Sequence, residues 1–160
     1  AAALAPGFGA APGALHLRSD LERKSLFGAG ETVRLPQSAY APEMNATVYK
    51  RLMEKARVAL AAGHSVIVDA VFSSPAEREA LAAVARGLGA QFAGLWLTAS
   101  TEAVTRRIDN RRGDASDATP AVALAQIARG AGPLADEAAW RIIDANGPTS
   151  DVLARARTAI

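Results

Sequence analysis

Apolar and polar positions alternate along this chain in two textures, short β-branched runs and longer stretches of helical spacing. Ala14-Leu15-His16-Leu17 follows Pro12-Gly13 and stops at Arg18-Ser19-Asp20, which predicts a strand. Ser19 or Asp20 is then placed to cap a helix running through Leu21 to Phe27, with Gly28 as its stop. Residues 29–40, with Gly30 and Pro36, show no period and read as a loop. From Pro42 onward Met44, Val48, Leu52, Ala56 and Ala59 recur on one helical face until Gly63. Ser65 to Phe72 is a continuous run interrupted by one charge, Asp69, the pattern of a strand covered on both faces in a parallel sheet.

The same alternation continues to the end. Pro75 opens a helix whose Leu81, Val84, Ala85 and Leu88 should face the core; Gln91 to Leu97 reads as a third strand, and Thr101 to Arg112 as a helix capped near Ser100 or Thr101. Gly113-Asp114-Ala115-Ser116-Asp117-Ala118 is a polar break, and residues 120–129 look helical again. Trp140 to Asp144 is the last strand, Asn146-Gly147-Pro148 a turn, and Ser150 or Asp151 caps a closing helix. Strands alternating with helices predict an α/β fold around a parallel sheet.

Length and composition narrow this picture. The 160 residues suit one domain, with no internal repeat, linker or second domain. Half the residues are hydrophobic and 39 are Ala, which favours helix. With 18 Lys+Arg against 16 Asp+Glu the net charge is +2, which argues against a nucleic-acid tail. The bias to Arg and Ala points to a GC-rich bacterial source. There is no Cys, and His16 and His64 are far apart, so thiolate and zinc sites are not expected. No apolar run approaches the roughly 20 residues of a membrane span and no basic leader opens the chain, so a cytoplasmic protein without a membrane partner is expected. The first residues, Ala1 to Ala5, carry no capping residue, as though the chain began inside a helix.

Three polar groups fall at strand ends, where an open parallel sheet gathers its chemistry. Asp20 and Arg23 lie one helical turn apart: an acid that can take a hydroxyl proton beside a cation that can hold an anion, or simply a cap and a solvated partner. Asp69 ends an apolar strand and must pair with a base, accept backbone N–H groups or face a metal, with a structural cap for the next helix as the equal alternative. Arg107 and Arg111 are spaced i,i+4, a like-charge arrangement that a phosphate between them would relieve, or they mark an exposed helix end. Gly7-Phe8-Gly9 with Gly13 has the wrong spacing for a dinucleotide loop and reads as a helix-to-strand connection.

Taken together, Arg-Ser-Asp-x-x-Arg-Lys from Arg18 to Lys24, Val-Ile-Val-Asp-Ala-Val-Phe from Val66 to Phe72, and the run from Arg106 to Ala118 resemble the small-molecule kinase branch of the P-loop NTPases. Bacterial kinase-like ATP-binding domains, often fused behind an aminoglycoside-phosphotransferase-like domain, are the nearest resemblance. Gluconate kinase, zeta toxin and polynucleotide 5′-kinase are more distant. The resemblance spans Ala1 to Ile160 and implies a three-layer, nucleotide kinase-like α/β fold with a parallel sheet and flanking helices.

The resemblance also implies roles. Asp20 becomes the base for the acceptor hydroxyl and Arg23 a substrate or phosphate clamp. Asp69 becomes a strand-end acid near the acceptor and Mg²⁺, reached through water. Arg107, Arg111 and Arg112 belong to a lid of about residues 106–120 that closes over ATP, with Arg111 or Arg112 reaching the transferring phosphate. Asn146 and Gly147 fall at the adenine-contacting loop. Arg34, Tyr40 and Asn45 are candidate acceptor contacts.

No G-x-x-x-x-G-K-[ST] occurs in the 160 residues. Against the family's strand order 2-3-1-4-5, the expectation is that the first, central strand and its phosphate loop are absent, leaving two inner sheet edges unpaired. The leading expectation is an ATP- and Mg²⁺-dependent kinase acting on a small-molecule hydroxyl, with a fused or upstream phosphotransferase-like domain as a candidate partner. The alternative is a non-catalytic, degenerate NTPase-fold module serving as partner or regulator. A polynucleotide kinase has little support from a near-neutral chain.

Overall fold

The structure, a computed structural model, describes all residues but 129, 131 and 134–136. Four strands and six α-helices are described: β1 (Leu15–Arg18), α1 (Ser19–Leu26), α2 (Pro42–Ala61), β2 (Val66–Asp69), α3 (Pro75–Gly87), β3 (Gly94–Thr98), α4 (Thr101–Asp109), α5 (Pro120–Ala128), β4 (Trp140–Asp144) and α6 (Thr149–Thr158). They form two units: Ala1–Gln91 with Gly113–Asp117, and Phe92–Arg112 with Ala118–Ile160. Among the described residues no helix is long and apolar enough to cross a membrane.

In the first unit β1 and β2 pair in parallel, from Leu15 opposite Val66 to Arg18 opposite Asp69. The helix α2 is the spine, its Val48, Leu52, Ala56 and Ala59 buried at the helical spacing read from the sequence. It packs on α1, α3 and both strands. Glu22 of α1, buried, takes Arg51 Nε at 2.7 Å and Lys55 Nζ at 2.5 Å from α2, so an ion cluster fixes the two helices in register.

Several boundaries differ from expectation, each for a local reason. The strand expected over residues 65–72 ends at Asp69, because its partner β1 ends at Arg18 and passes straight into α1. Three residues on, Phe72 is buried in the left-handed region at φ 48°, which no strand tolerates. Its N–H donates to Tyr49 Oη at 2.9 Å and its carbonyl accepts Arg78 Nη1 at 2.8 Å, so the turn is held from both sides. Ser74 and Glu77 form a reciprocal capping box at the start of α3, where Ala82, Val84 and Ala85 are buried but Leu88, past the last turn, is 40% exposed. The N-terminal residues form a turn, with Leu4 N bonded to Ala1 O, and a 3₁₀ turn at Ala5–Gly7 rather than an α-helix.

In the second unit β3 and β4 are parallel, from Gly94 opposite Trp140 to Thr98 opposite Asp144. The strand expected from Gln91 begins at Gly94 because β4 offers no partner earlier. Helix α4 has the expected cap, Ser100 Oγ accepting Ala103 N at 3.2 Å. Helix α6 starts after Pro148, so neither Ser150 nor Asp151 is its cap. Residue 129, expected to end α5, lies outside the described residues. The four strands make two separate two-stranded ladders, β1 with β2 and β3 with β4; counted as the family's strands 2 to 5, both pairings are neighbours in its order 2-3-1-4-5. A Cβ added at Gly94 would fall inside the Trp140 indole. Gly94→Ala should therefore destabilise the second unit by about 2 kcal/mol through overpacking, measured as a lower urea midpoint at unchanged slope.

Candidate active site

In the first unit the site grows from the junction of β1 and α1. No loop separates them: Arg18 is the extended residue before the helix and makes no side-chain cap, and neither Ser19 nor Asp20 serves as one. Asp20 thus sits in the first turn, where the helix dipole favours an anion, with its carboxylate not engaged in capping. Burial pushes this carboxyl up, and Asp69 adds to the rise. Arg18, a bond from the Ser116 side chain and Arg23 act against it, and the balance lies above the ordinary aspartate range. Arg18 itself donates to Asp114 Oδ1 at 2.7 Å, and the same oxygen accepts Ser116 N at 3.0 Å. Asp69 is exposed at the end of β2 and meets His16 Nε2 at 3.2 Å across the ladder. Asp20, Arg23 and Asp69 are therefore brought into one electrostatic neighbourhood.

Arg23 is buried. It donates from Nη1 to Ala39 O at 2.7 Å, lies 4.9 Å from the centre of the Tyr40 ring, and keeps a buried Nε with no hydrogen-bond partner among the described residues. Lys24, 2% exposed, donates to Val33 O at 2.5 Å and to Asp117 Oδ1 at 3.0 Å. Asp117 Oδ2 also accepts Leu35 N at 3.0 Å and Tyr40 Oη at 2.6 Å. Asn45 Nδ2 donates to Tyr40 O at 3.3 Å, and Arg34 is exposed. The contribution of Lys24, Asp114, Ser116 and Asp117 was not read from the sequence. Their one signal was the polar break at residues 113–118, and its partners lie 77 to 96 positions away.

Burial alone would push the Asp117 carboxyl up, but the donors from Tyr40, Leu35 and Lys24 outweigh it and hold it below the ordinary range. A carboxylate whose folded pKa is depressed contributes stability above its unfolded value of about 4 and loses it as pH falls through the folded value. The Leu35 amide resonance should accordingly titrate with a midpoint below that of an ordinary aspartate, and NMR between pH 5 and pH 2 checks it. Asp20 runs the other way: its contribution is lost as pH rises through its raised value.

In the second unit the ends of β3 and β4 converge on residues 144–147. Arg107 Nη2 donates to Ala145 O at 2.6 Å and Gly147 O at 2.9 Å, while Arg155 Nη2 donates to Asn146 O at 2.8 Å. Asn146 accepts Ser100 N at Oδ1 and donates to Asp144 Oδ1 through both its N–H and its side-chain amide. Arg107, Asn146 and Gly147 are thus assembled into one clamped turn. Helix α4 ends at Asp109, so Arg107 and Arg111 do not share the helical face that their spacing suggested. Arg112 Nη1 donates to Asp109 O and Arg111 O, both at 2.8 Å. Arg111 holds a buried Nη1 that has no hydrogen-bond partner among the described residues, a donor chemically suited to a phosphate oxygen.

A family model described as an AAA domain matches residues 4–133. Uncharacterized proteins of Mycobacterium tuberculosis and Mycobacterium bovis are each 31% identical over 149 residues, covering 91% of this chain and 29% of theirs. The chain thus spans less than a third of those relatives. Among solved structures, a Chloroflexus aurantiacus protein provisionally described as a kinase superposes with a TM-score of 0.61 at 18% identity, over 92% of this chain and 84% of that one. A gluconokinase from Sinorhizobium meliloti gives 0.57 at 18% identity, over 91% and 79%. These likenesses carry the fold, an α/β architecture with parallel strands and flanking helices.

Proposed function

The chain belongs to the AAA domain family, and from that premise we propose that it lies in a P-loop, small-molecule kinase-like branch and is the core of an ATP-dependent kinase acting on a hydroxyl of a small molecule. The observation that carries the reading is Asp20: a partly buried carboxylate in the first turn after a strand, not used as a cap, steadied by Arg18 and Ser116, with Asp69 close by. In this reading Asp20 accepts the proton of the acceptor hydroxyl as its oxygen bonds to the γ-phosphorus of ATP and the bond to the departing ADP breaks. Arg111 and Arg112 offset charge on the transferring group, Arg23 holds the substrate side, and Arg107 with Asn146 and Gly147 shapes the adenine end.

Magnesium suits the exposed carboxylate of Asp69, a hard oxygen donor that would hold the ion through water beside its contact with His16 Nε2. Among the described residues no three ligating side chains converge, so the remaining ligands would be water and phosphate. Bound there, the ion would neutralise charge on the phosphates.

The test uses the whole protein that carries this chain: calorimetry with ATP and Mg²⁺, then a phosphorylation screen of hydroxyl-bearing metabolites. Saturable nucleotide binding with turnover of one compound supports the kinase. A protein that binds neither ATP nor Mg²⁺ is instead the non-catalytic NTPase-fold module.

A further inference from the structure

The run Gly113–Asp117 belongs to the first unit, and both of its acids are bonded to residues of that unit. Asp117 has a side chain 11% exposed, and three donors from three separate places meet on it: Lys24 of α1, the backbone N–H of Leu35, and the Tyr40 hydroxyl. At the other end of the run Asp114 holds Arg18 and Ser116 reaches Asp20, with Ala115 buried between. One short run therefore grips the start of α1 with one end and the segment 29–40 with the other. The other side-chain bonds to that segment, from Arg23 to Ala39 O, Lys24 to Val33 O and Asn45 to Tyr40 O, reach backbone carbonyls, and Asp117 adds the bonds to the Leu35 N–H and the Tyr40 hydroxyl. Of its apolar side chains only Leu35 and Ala39 are buried, and Val33 is 53% exposed.

We propose that Asp117 is the positioning residue that sets acceptor specificity, by locking residues 29–40 onto α1 so that they and Gly113–Asp117 form one fixed wall beside Asp20. The lock itself is a statement about structure; its effect on specificity rests on the kinase reading. A carboxylate suits the task because it has lone pairs for all three donors and the charge to match a buried ammonium. Asn at this position keeps one acceptor oxygen and loses the charge, so it cannot serve the Lys24 ammonium, the Leu35 N–H and the Tyr40 hydroxyl from two oxygens as Asp117 does.

The lock is tested by hydrogen–deuterium exchange on the whole protein, comparing wild type, Asp117→Asn and Tyr40→Phe, with α2 as internal reference. Asp117→Asn should speed exchange of residues 29–40 and 113–117 by about 10-fold or more while α2 is unchanged. Tyr40→Phe, which spares the Lys24 pair, should speed exchange in both stretches by a smaller factor, because coupling is reciprocal. Unchanged protection of residues 29–40 in Asp117→Asn overturns the lock. If α2 also accelerates there, Tyr40→Phe decides, and no change at residues 113–117 overturns it.

The specificity arm uses Mg·ATP with glucose, gluconate and glycerol as acceptor probes, and reads the one that wild type turns over fastest. Asp117→Asn should raise its KM about 10-fold or more and leave the KM for ATP within about twofold. An unmoved acceptor KM overturns the specificity role. If wild type phosphorylates none of the three, the specificity role falls with them for these acceptors, whereas the exchange arm still decides the lock and the metabolite screen still decides the kinase reading.

Discussion

Replacing Asp20 by Asn is expected to lower phosphoryl transfer by about 10²–10⁴-fold while nucleotide affinity stays near that of wild type, because the change removes a proton acceptor and leaves shape and most hydrogen bonds in place. The geometry makes this a sharper test than for an exposed acid. Burial and the nearby Asp69 hold the Asp20 carboxyl above the ordinary range in spite of Arg18 and Ser116, so it is a stronger base than a solvated aspartate. The acid limb of the wild-type pH–rate profile should fall at a pH above the ordinary aspartate value of about 4. In Asp20→Asn that limb should vanish together with most of the rate. A variant with unchanged turnover removes Asp20 from the role of base, and a variant with lost nucleotide affinity shows that it acts by holding structure instead.

The largest effect on stability is expected at Arg78, which is 1% exposed in α3. Its Nη1 donates to the carbonyl of Phe72, whose left-handed backbone follows β2. Arg78→Ala removes a charge-assisted hydrogen bond, exposes or orphans that carbonyl, and leaves a cavity the size of a long side chain. The sum is about 4 kcal/mol, and the thermal midpoint should fall by about 10 °C or more. Arg78→Met, which keeps much of the stem volume, should recover about half of the loss. The other grip on the same residue is weaker. Tyr49, whose hydroxyl burial pushes up to about 12, accepts the Phe72 N–H, and Tyr49→Phe should cost about 1–2 kcal/mol. Equal midpoints for wild type and Arg78→Ala would mean that the turn holds itself.

The strands and the long helix were legible in the sequence because their signals are local. Trp140–Asp144 is the strand that was read, residue for residue, and α2 begins at Pro42 with the expected inward face. What failed locally was termination. A β-branched run to Phe72 looks like one strand, and only the partner's length shows that pairing stops at Asp69. Likewise Ser19 and Asp20 look like caps, and only a strand that enters the helix without a loop makes Arg18 the boundary residue. The site divided along the same line. Asp20 and Asp69 stand at strand ends and could be read from position. Asp117 could not, because a carboxylate in a polar run gives no sign that a lysine 93 positions earlier is buried against it.

The discontinuity of the first unit has a consequence for how this chain can be altered. Phe92–Arg112 is, for that unit, an excursion, after which five residues return to complete it. Lengthening the excursion is cheap, since doubling a flexible loop costs only about 0.6 kcal/mol of closure entropy. Deleting a single residue from 113–117 is not, because it shifts two anchors, Asp114 and Asp117, against partners fixed on α1 and the segment before α2. A fragment ending at Gln91 would bury the Lys24 ammonium against a lone carbonyl, so cutting there should yield a polypeptide that is not an autonomous folding unit unless the five-residue return is restored by a short linker.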